Sequence, residues 1–374
     1  MEGSEEIQEK RKILFFITSL GKGGAEKVLV DLLNSLPADK FEITLKTLYG
    51  GVNQKKLSSV IKYSNVIKTR NAFLKKILIR LYYRVLPSKF FYRFFLKGDY
   101  EVECAYLEGK PTEIIAKSVN KRSKKIAFIH TDIETNFGVK NVYGNIKRAK
   151  KLYNKFDDII CVSNEAKISI EKIIGKLKNA QVLHNIIDFQ KVRELSVEFS
   201  ADKNNGRFNI ISLGRLCDVK GYFRLLEALK DVKEEKYKLL IIGDGEQKDK
   251  LEEFANRYSI NVEFLGFKEN PFPYVVASDL YVCSSYAEGY STSVAEALSL
   301  GVPVLTTNCA GMKELVRKNG LIVENNTQAI KEGLHLLMGD FRLYNQLKQE
   351  AEALKHLYKK ENEIIRYIDL FMEK

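Results

Sequence analysis

Dense apolar runs alternate along this chain with stretches whose apolar positions recur every three or four residues. Residues 11–19 carry Ile13, Leu14, Phe15, Phe16 and Ile17 without a polar break, the pattern of a strand covered on both faces. The turn Leu20-Gly21-Lys22-Gly23-Gly24-Ala25-Glu26 follows. Val28, Leu29, Leu32, Leu33 and Leu36 then keep helical spacing as far as Pro37, which stops the helix. A second strand is predicted over 41–48, and others near 102–106, 125–130, 158–162 and 180–184. The later half repeats the alternation, with apolar runs at 210–213, 239–242, 262–267 and 279–283. Strands alternating with helices predict parallel sheets with helices on both faces, an α/β architecture. At 374 residues the chain is long enough for two such domains, each with its own core. We place the first over 11–190, a polar linker containing Asn204-Asn205-Gly206 over 191–206, the second over 207–355, and a last helix over 356–374.

The candidate chemistry lies in the loops that follow these strands. The run Glu288-Gly289-Tyr290-Ser291-Thr292-Ser293-Val294-Ala295-Glu296 leads from a strand into a helix. Residues 289–292 therefore sit at a helix N-terminus, where free N–H groups and the helix dipole favour an anion. Glu288 precedes the turn and Glu296 lies inside the helix, so paired acids flank an anion pocket, an arrangement suited to a nucleotide-sugar. An ordinary strand–turn–helix with solvated acids has the same spacing. Upstream, Gly214-Arg215-Leu216-Cys217-Asp218-Val219-Lys220-Gly221 follows another strand. That puts Arg215 and Lys220 at the carboxyl edge of the sheet, where two cations can neutralise a diphosphate without a metal. Between them and Glu288 come Gly243 in a further strand–glycine turn, Phe267 after another strand, and Asn270-Pro271-Phe272-Pro273-Tyr274.

This ordered series, from Gly214 to about Val323, resembles the nucleotide-binding half of glycosyltransferase family 4, retaining enzymes of the GT-B fold. The resemblance implies two Rossmann-like doubly wound domains facing a cleft, with the C-terminal helix crossing back to the first. It implies that Glu288 binds donor-sugar hydroxyls, Glu296 the ribose, and Arg215 and Lys220 the diphosphate. The backbone of Tyr290, Ser291 and Thr292 would hold phosphate, and Gly214, Gly243, Phe267 and Gly289 would complete the donor site. In the first domain it assigns Gly23 and Gly24, with Glu26 as a weaker companion, and His130 at a strand end near the donor sugar. Leu183-His184-Asn185-Ile186-Ile187-Asp188 resembles the segment that ends the first domain. Ser291 stands where many members carry glycine or proline, and Cys309-Ala310-Gly311-Met312-Lys313-Glu314 lacks the usual glycine-proline turn. The turn at Gly21–Gly24 does not fit G-x-G-x-x-G, and the second strand ends in Thr47-Leu48-Tyr49-Gly50 without an acid for a ribose, which argues against a dinucleotide site.

Charge adds a second feature. The net charge is +13, yet residues 43–98 contain thirteen Lys and Arg and no Asp or Glu. Outside that segment, the remaining 48 basic residues equal the 48 acidic ones. Within it Phe73, Leu74, Ile77, Leu78, Leu81 and Val85 recur at helical spacing beside Lys76, Arg80 and Arg84. After Pro87, Phe90, Phe91, Phe94 and Phe95 oppose Lys89, Arg93 and Lys97. Basic amphipathic helices with large aromatics suit an anionic membrane surface, with Lys75, Lys76, Arg80, Arg84, Lys89, Arg93 and Lys97 as contacts. The alternative is that their apolar faces pack on the core and the lysines face water; nucleic acid is not expected.

Five scattered cysteines, with no close pair, indicate neither a disulfide framework nor a thiolate metal site and suit a reduced cytosol. The polar start of the chain has no signal-peptide pattern, and no run of about 18 apolar residues spans a bilayer. We therefore expect a cytoplasmic protein, peripheral at the inner face of the cell membrane. No Asp-x-Asp, His-Glu-x-x-His or Walker loop is present. The expected reaction is a metal-independent, retaining transfer with no cofactor beyond the donor. The donor is a nucleotide-sugar, uridine diphosphate being favoured by family frequency alone. The acceptor expected is a lipid-linked glycan in capsule or exopolysaccharide assembly. Alternatives are a glycolipid transferase acting on diacylglycerol or phosphatidylinositol, a nucleotide-sugar epimerase of the same architecture, or a basic binding protein that has lost activity.

Overall fold

The computed structural model describes residues 9–21, 23–69, 71–84, 86–136, 143–203 and 206–373, apart from the side chains of Ala72, Tyr83, Arg84, Thr135 and Asn136. The predicted positions Lys22, Val85, Asn204 and Asn205 and the side chain of Arg84 thus lie outside the described residues. The chain forms two compact units, Met1–Ile186 with Glu361–Lys374, and Ile187–Lys360.

In the first unit the apolar runs form a seven-stranded sheet of order β3-β2-β1-β4-β5-β6-β7. The strands are β1 (Arg11–Ile17), β2 (Phe41–Thr47), β3 (Lys62–Asn65), β4 (Val102–Ala105), β5 (Lys124–Ile129), β6 (Asp158–Cys161) and β7 (Ala180–Val182). Every pairing is parallel. Strand alternation sends Leu14 and Phe16 to one core and Ile13, Phe15 and Ile17 to the other, so both faces of β1 are buried. Helix Gly24–Ser35 covers the second face with Leu29, Leu32 and Leu33. The last helix, Glu361–Met372, shares that core: its Phe371 ring lies 5.6 Å from Phe15, edge on. Its Glu363 receives the backbone N–H of His184 at 3.2 Å.

The boundary differs from the expected one. Position 190 was expected to end the first domain and 191–206 to be linker. Instead the units divide between Ile186 and Ile187, and Phe189–Ser196 is a helix capped by Asp188, whose Oδ1 accepts from the Lys191 N–H at 3.1 Å. Phe189 and Val192 bury themselves in the second unit, which outweighs the polar composition that suggested a hinge. The final segment likewise joins the first unit from Glu361, not 356.

The second unit holds six parallel strands in the order β10-β9-β8-β11-β12-β13. They are β8 (Phe208–Leu213), β9 (Tyr237–Ile242), β10 (Val262–Gly266), β11 (Leu280–Cys283), β12 (Val304–Thr307) and β13 (Gly320–Val323). In each sheet the winding reverses beside the first strand, between β1 and β4 and between β8 and β11. Open α/β sheets bind ligands at the carboxyl ends of such strands.

The basic segment forms the helix Ala72–Arg84, the short helix Ser88–Phe91 and a π-helical turn, Tyr92–Leu96. The expected grouping of four phenylalanines on one side does not hold. Phe91 turns inward against Tyr82, 5.0 Å away, while Phe90, Phe94 and Phe95 are exposed. The wider π turn carries Tyr92 and Leu96 into the core instead. Tyr92 donates to the buried Glu103 carboxylate, and Lys46 Nζ donates to the Phe95 carbonyl at 2.8 Å, fixing the segment on the sheet.

Candidate active site

The switch point of the second unit gathers the strongest sequence candidates. After β8 the chain turns through Gly214 and reaches Lys220; after β11 it passes Ser284 and Ser285 to Glu288. The two loops are stitched together, since the Tyr286 N–H donates to the Val219 carbonyl at 2.8 Å and Ser284 Oγ to the Lys220 carbonyl at 3.1 Å. Gly221 has φ 64° and packs so closely that an added Cβ would lie 2.2 Å from the Ser284 oxygen, so glycine is needed twice over. Across this junction Lys220 Nζ meets Glu288 Oε1 at 2.7 Å, and Ser285 Oγ donates to the same oxygen at 2.6 Å. Burial works against the Lys220 charge, but the Glu288 carboxylate more than offsets it and holds the lysine above its ordinary range.

Arg224, in the first turn of helix Tyr222–Leu229, secures the loop from below. This buried guanidinium has carbonyl and amide partners instead of a carboxylate. Nε donates to Ser284 O at 2.6 Å, Nη1 to Asn325 Oδ1 at 2.7 Å and Nη2 to Ser285 O. The Tyr286 ring covers it at 3.8 Å. Sequence reasoning missed Arg224 and Ser285, because neither belongs to a spacing motif.

Helix Thr292–Ser299 begins as expected at Ser291, which makes no side-chain cap. Its first N–H groups are thus left to the loop side, and Ser291 Oγ instead pairs with Ser293 Oγ at 3.3 Å. Glu296 lies one turn inside and is buried. Gly289 approaches Gly311, whose Cβ, if present, would fall 2.5 Å from the Gly289 oxygen. Gly214 and Gly243 end β8 and β9 side by side; a Cβ on Gly243 would reach 1.8 Å from the Gly214 oxygen. Arg215 is exposed on its loop, and Phe267 is exposed at the end of β10. The strands being parallel, all these positions share one edge of the sheet. Among the described residues no three His, Cys, Asp or Glu side chains converge to hold a metal ion.

In the first unit Gly23 and Gly24 begin helix Gly24–Ser35 at the end of β1, and the Glu26 carboxylate folds back over Gly23. His130 follows β5 and is buried, with its ring 4.6 Å from that of Tyr106. Burial lowers its pKa to about 4, so the imidazole is neutral at pH 7. Glu108, after β4, is bonded to the His130 and Thr131 amides and was not anticipated.

Two doubly wound parallel-sheet units with ligand-edge loops of this kind define the GT-B fold, and solved structures agree. HepE of Anabaena, solved with UDP and glucose, superposes with a TM-score of 0.75 at 19% identity, over 96% of this chain and 99% of that one. The glycosyltransferase WaaG, involved in lipopolysaccharide biosynthesis, gives 0.70 at 14% identity, over 97% and 100%. Residues 196–354 match the family described as Glycosyl transferases group 1, which places Lys220, Arg224, Glu288 and Glu296 inside the matched segment. An uncharacterized glycosyltransferase of Methanocaldococcus jannaschii is 38% identical over 180 residues, 45% of this chain and 44% of that protein. The Campylobacter jejuni enzyme named N-acetylgalactosamine-N,N'-diacetylbacillosaminyl-diphospho-undecaprenol 4-alpha-N-acetylgalactosaminyltransferase is 27% identical, over 92% of this chain and 94% of its own length.

Proposed function

We propose that this chain is a retaining, metal-independent glycosyltransferase of the family 4 type. It moves a sugar from a nucleoside-diphosphate donor, UDP-sugar being favoured, to a lipid-linked glycan in surface polysaccharide biosynthesis. The observation that carries this reading is the Lys220–Glu288 pair at the β8/β11 switch point, beside a helix N-terminus without a side-chain cap. The similarity to an enzyme named for a diphospho-undecaprenol substrate supports the acceptor class. In the transfer, the bond from the anomeric carbon to the diphosphate oxygen breaks. The acceptor oxygen bonds to that carbon from the same face, and its proton passes to the departing diphosphate. Lys220, Arg215 and the N–H groups of Tyr290 to Thr292 stabilise the charge that develops. Glu288 takes donor-sugar hydroxyls and Glu296 the ribose.

The acceptor side is membrane docking at the inner leaflet. Phe73 and Phe94, 75% and 70% exposed, lead a set of outward apolar residues that includes Leu74, Ile77, Leu81 and Phe90, among basic neighbours and without a carboxylate in the segment. Lys76, Arg80, Lys89, Arg93 and Lys97 are exposed beside them, whereas Lys75 turns back over the Tyr49 ring at 4.4 Å. Among the described residues no helix is long and apolar enough to cross a membrane. The donor reading is tested by thermal shift with a panel of nucleoside diphosphates, with and without EDTA. A chelator-resistant shift with UDP, lost in an Arg215→Ala/Lys220→Ala variant, is expected; no shift with any nucleotide overturns it. A shift that EDTA abolishes overturns metal independence alone.

A further inference from the structure

The first unit carries a carboxylate that this reading leaves unused. β4 and β5 pair in parallel with Ala105 opposite Ala127, so Glu108 and His130, each three residues further on, arrive side by side at the carboxyl edge. Glu108 Oε1 accepts the His130 N–H at 2.6 Å, the Thr131 N–H at 3.1 Å and Thr131 Oγ1 at 3.4 Å. All three bonds converge on that oxygen and Oε2 takes part in none of them, while the Glu108 N–H also bonds the carboxylate. His130 is arranged likewise. One ring nitrogen bonds the Tyr106 backbone carbonyl, and Nε2 is buried with no hydrogen-bond partner among the described residues. With the other nitrogen donating, Nε2 of the neutral ring is an acceptor. A buried polar atom left unpaired is unfavourable, and it is tolerated where a ligand completes the bond. The unpartnered Nε2 and the neighbouring Glu108 Oε2, acceptors on adjacent strand ends, suit a ligand that brings two donors on one rigid frame. Neighbouring hydroxyl groups of a sugar ring are such donors.

We infer that Glu108 is a sugar-binding residue, its Oε2 acting with His130 Nε2 to hold two neighbouring hydroxyls of a hexose ring. This rests on the glycosyl-transfer reading and adds to it a contact that the Lys220–Glu288 site does not supply. The ring belongs either to the donor or to the acceptor, and the experiment distinguishes them.

Glu108→Gln isolates the effect. The two backbone amides still need an acceptor, so they pin the amide oxygen at the Oε1 position and put the NH2 group where Oε2 was. Calorimetric binding of UDP, UDP-glucose and UDP-N-acetylgalactosamine is compared with wild type, alongside the transfer KM for a polyprenyl-diphosphate-linked hexosamine. If Glu108 holds the donor ring, affinity for a UDP-sugar falls about 10- to 100-fold while UDP alone binds unchanged. If it holds the acceptor ring, donor affinities stay and the acceptor KM rises by a similar factor. In both cases the melting temperature does not fall. Unchanged sugar affinities and KM overturn the inference. So does a lowered melting temperature with UDP and UDP-sugar weakened together, which marks a structural role. Wild-type protein that binds no nucleotide overturns the transferase reading and this inference with it, a result separate from the others.

Discussion

Each unit holds a glutamate at the carboxyl edge of its sheet by one oxygen, but the two are held by opposite chemistry. Glu288 Oε1 receives a lysine ammonium and a serine hydroxyl, whereas Glu108 Oε1 receives two backbone amides and a threonine hydroxyl. The first arrangement keeps a cation in place beside an open helix terminus, which suits a charged diphosphate. The second has no cation within bonding reach among the described residues, which suits neutral hydroxyls. In the second unit burial is offset by charge pairing, and Lys220 is held above its ordinary range. In the first, burial pushes the Glu108 carboxyl up although the amides of His130 and Thr131 oppose it. The same residue type at equivalent edges is thus placed in two different electrostatic settings by its neighbours.

Removing Lys220 strikes this contrast hardest. Lys220→Ala takes away a cation and strands the Glu288 carboxylate, so kcat is expected to fall on the order of 10²–10³. Lys220→Ala/Glu288→Ala should recover the lost melting temperature but not the rate, because the stranded charge is removed while the electrostatic support stays absent. A double variant that regains activity would break the assignment. Arg224→Leu comes next. It leaves the Ser284 and Ser285 carbonyls and Asn325 without their donor, at a cost of about 2–4 kcal/mol in denaturant unfolding. Arg224→Lys should recover part of the stability but raise KM for the donor, since one ammonium cannot serve three acceptors in a plane.

Neutralising each glutamate in turn tests the comparison directly. Lys220 titrates above its unfolded value, so its pairing stabilises the fold below that value and the benefit is lost only as pH rises through the folded one. Glu288→Gln is therefore expected to lower the melting temperature at pH 7. Glu108 has the opposite sign. A carboxyl with a raised pKa binds more protons folded than unfolded, so its contribution grows more favourable as pH falls and is unfavourable near neutrality. Glu108→Gln should hold or raise the melting temperature at pH 7, by less than Glu288→Gln lowers it. Parallel shifts in the two variants would show that the glutamates are equivalent after all.

Much of this was legible in the chain because it is local. Apolar runs such as 13–17 mark buried strands, and the spacing from Glu288 to Glu296 places both on one turn–helix element. Glu108 and Arg224 were not legible because their meaning depends on register and burial. Glu108 matters only because β4 lies beside β5, a pairing of strands joined through an intervening helix, Lys110–Ile115. Arg224 reads as a solvated charge until helix Tyr222–Leu229 is seen to press it under the β11 loop. Phe91 was misplaced because its burial comes from a contact distant in sequence, the Tyr82 ring of the preceding helix, which the local spacing does not show.

The smallest effects concern the other difference between the units, the acid-free basic segment that only the first possesses. Tyr82, Phe91, Tyr92 and Leu96 bury one side of it, and the backbone is fixed by Tyr92–Glu103 and Lys46–Phe95, so the exposed rings of Phe73, Phe90 and Phe94 are presented by an anchored element. Exposed aromatics with flanking cations partition into an interface through both terms, and each basic residue near an anionic leaflet contributes roughly 1 kcal/mol. Lys89→Gln should therefore weaken binding to phosphatidylglycerol-containing vesicles about fivefold in a flotation assay, and Phe90→Ser/Phe94→Ser by more. Only the first loss should shrink as salt rises, because screening acts on charge and not on buried apolar area. Flotation that ignores anionic lipid content at moderate salt would leave these cations as a solvated surface.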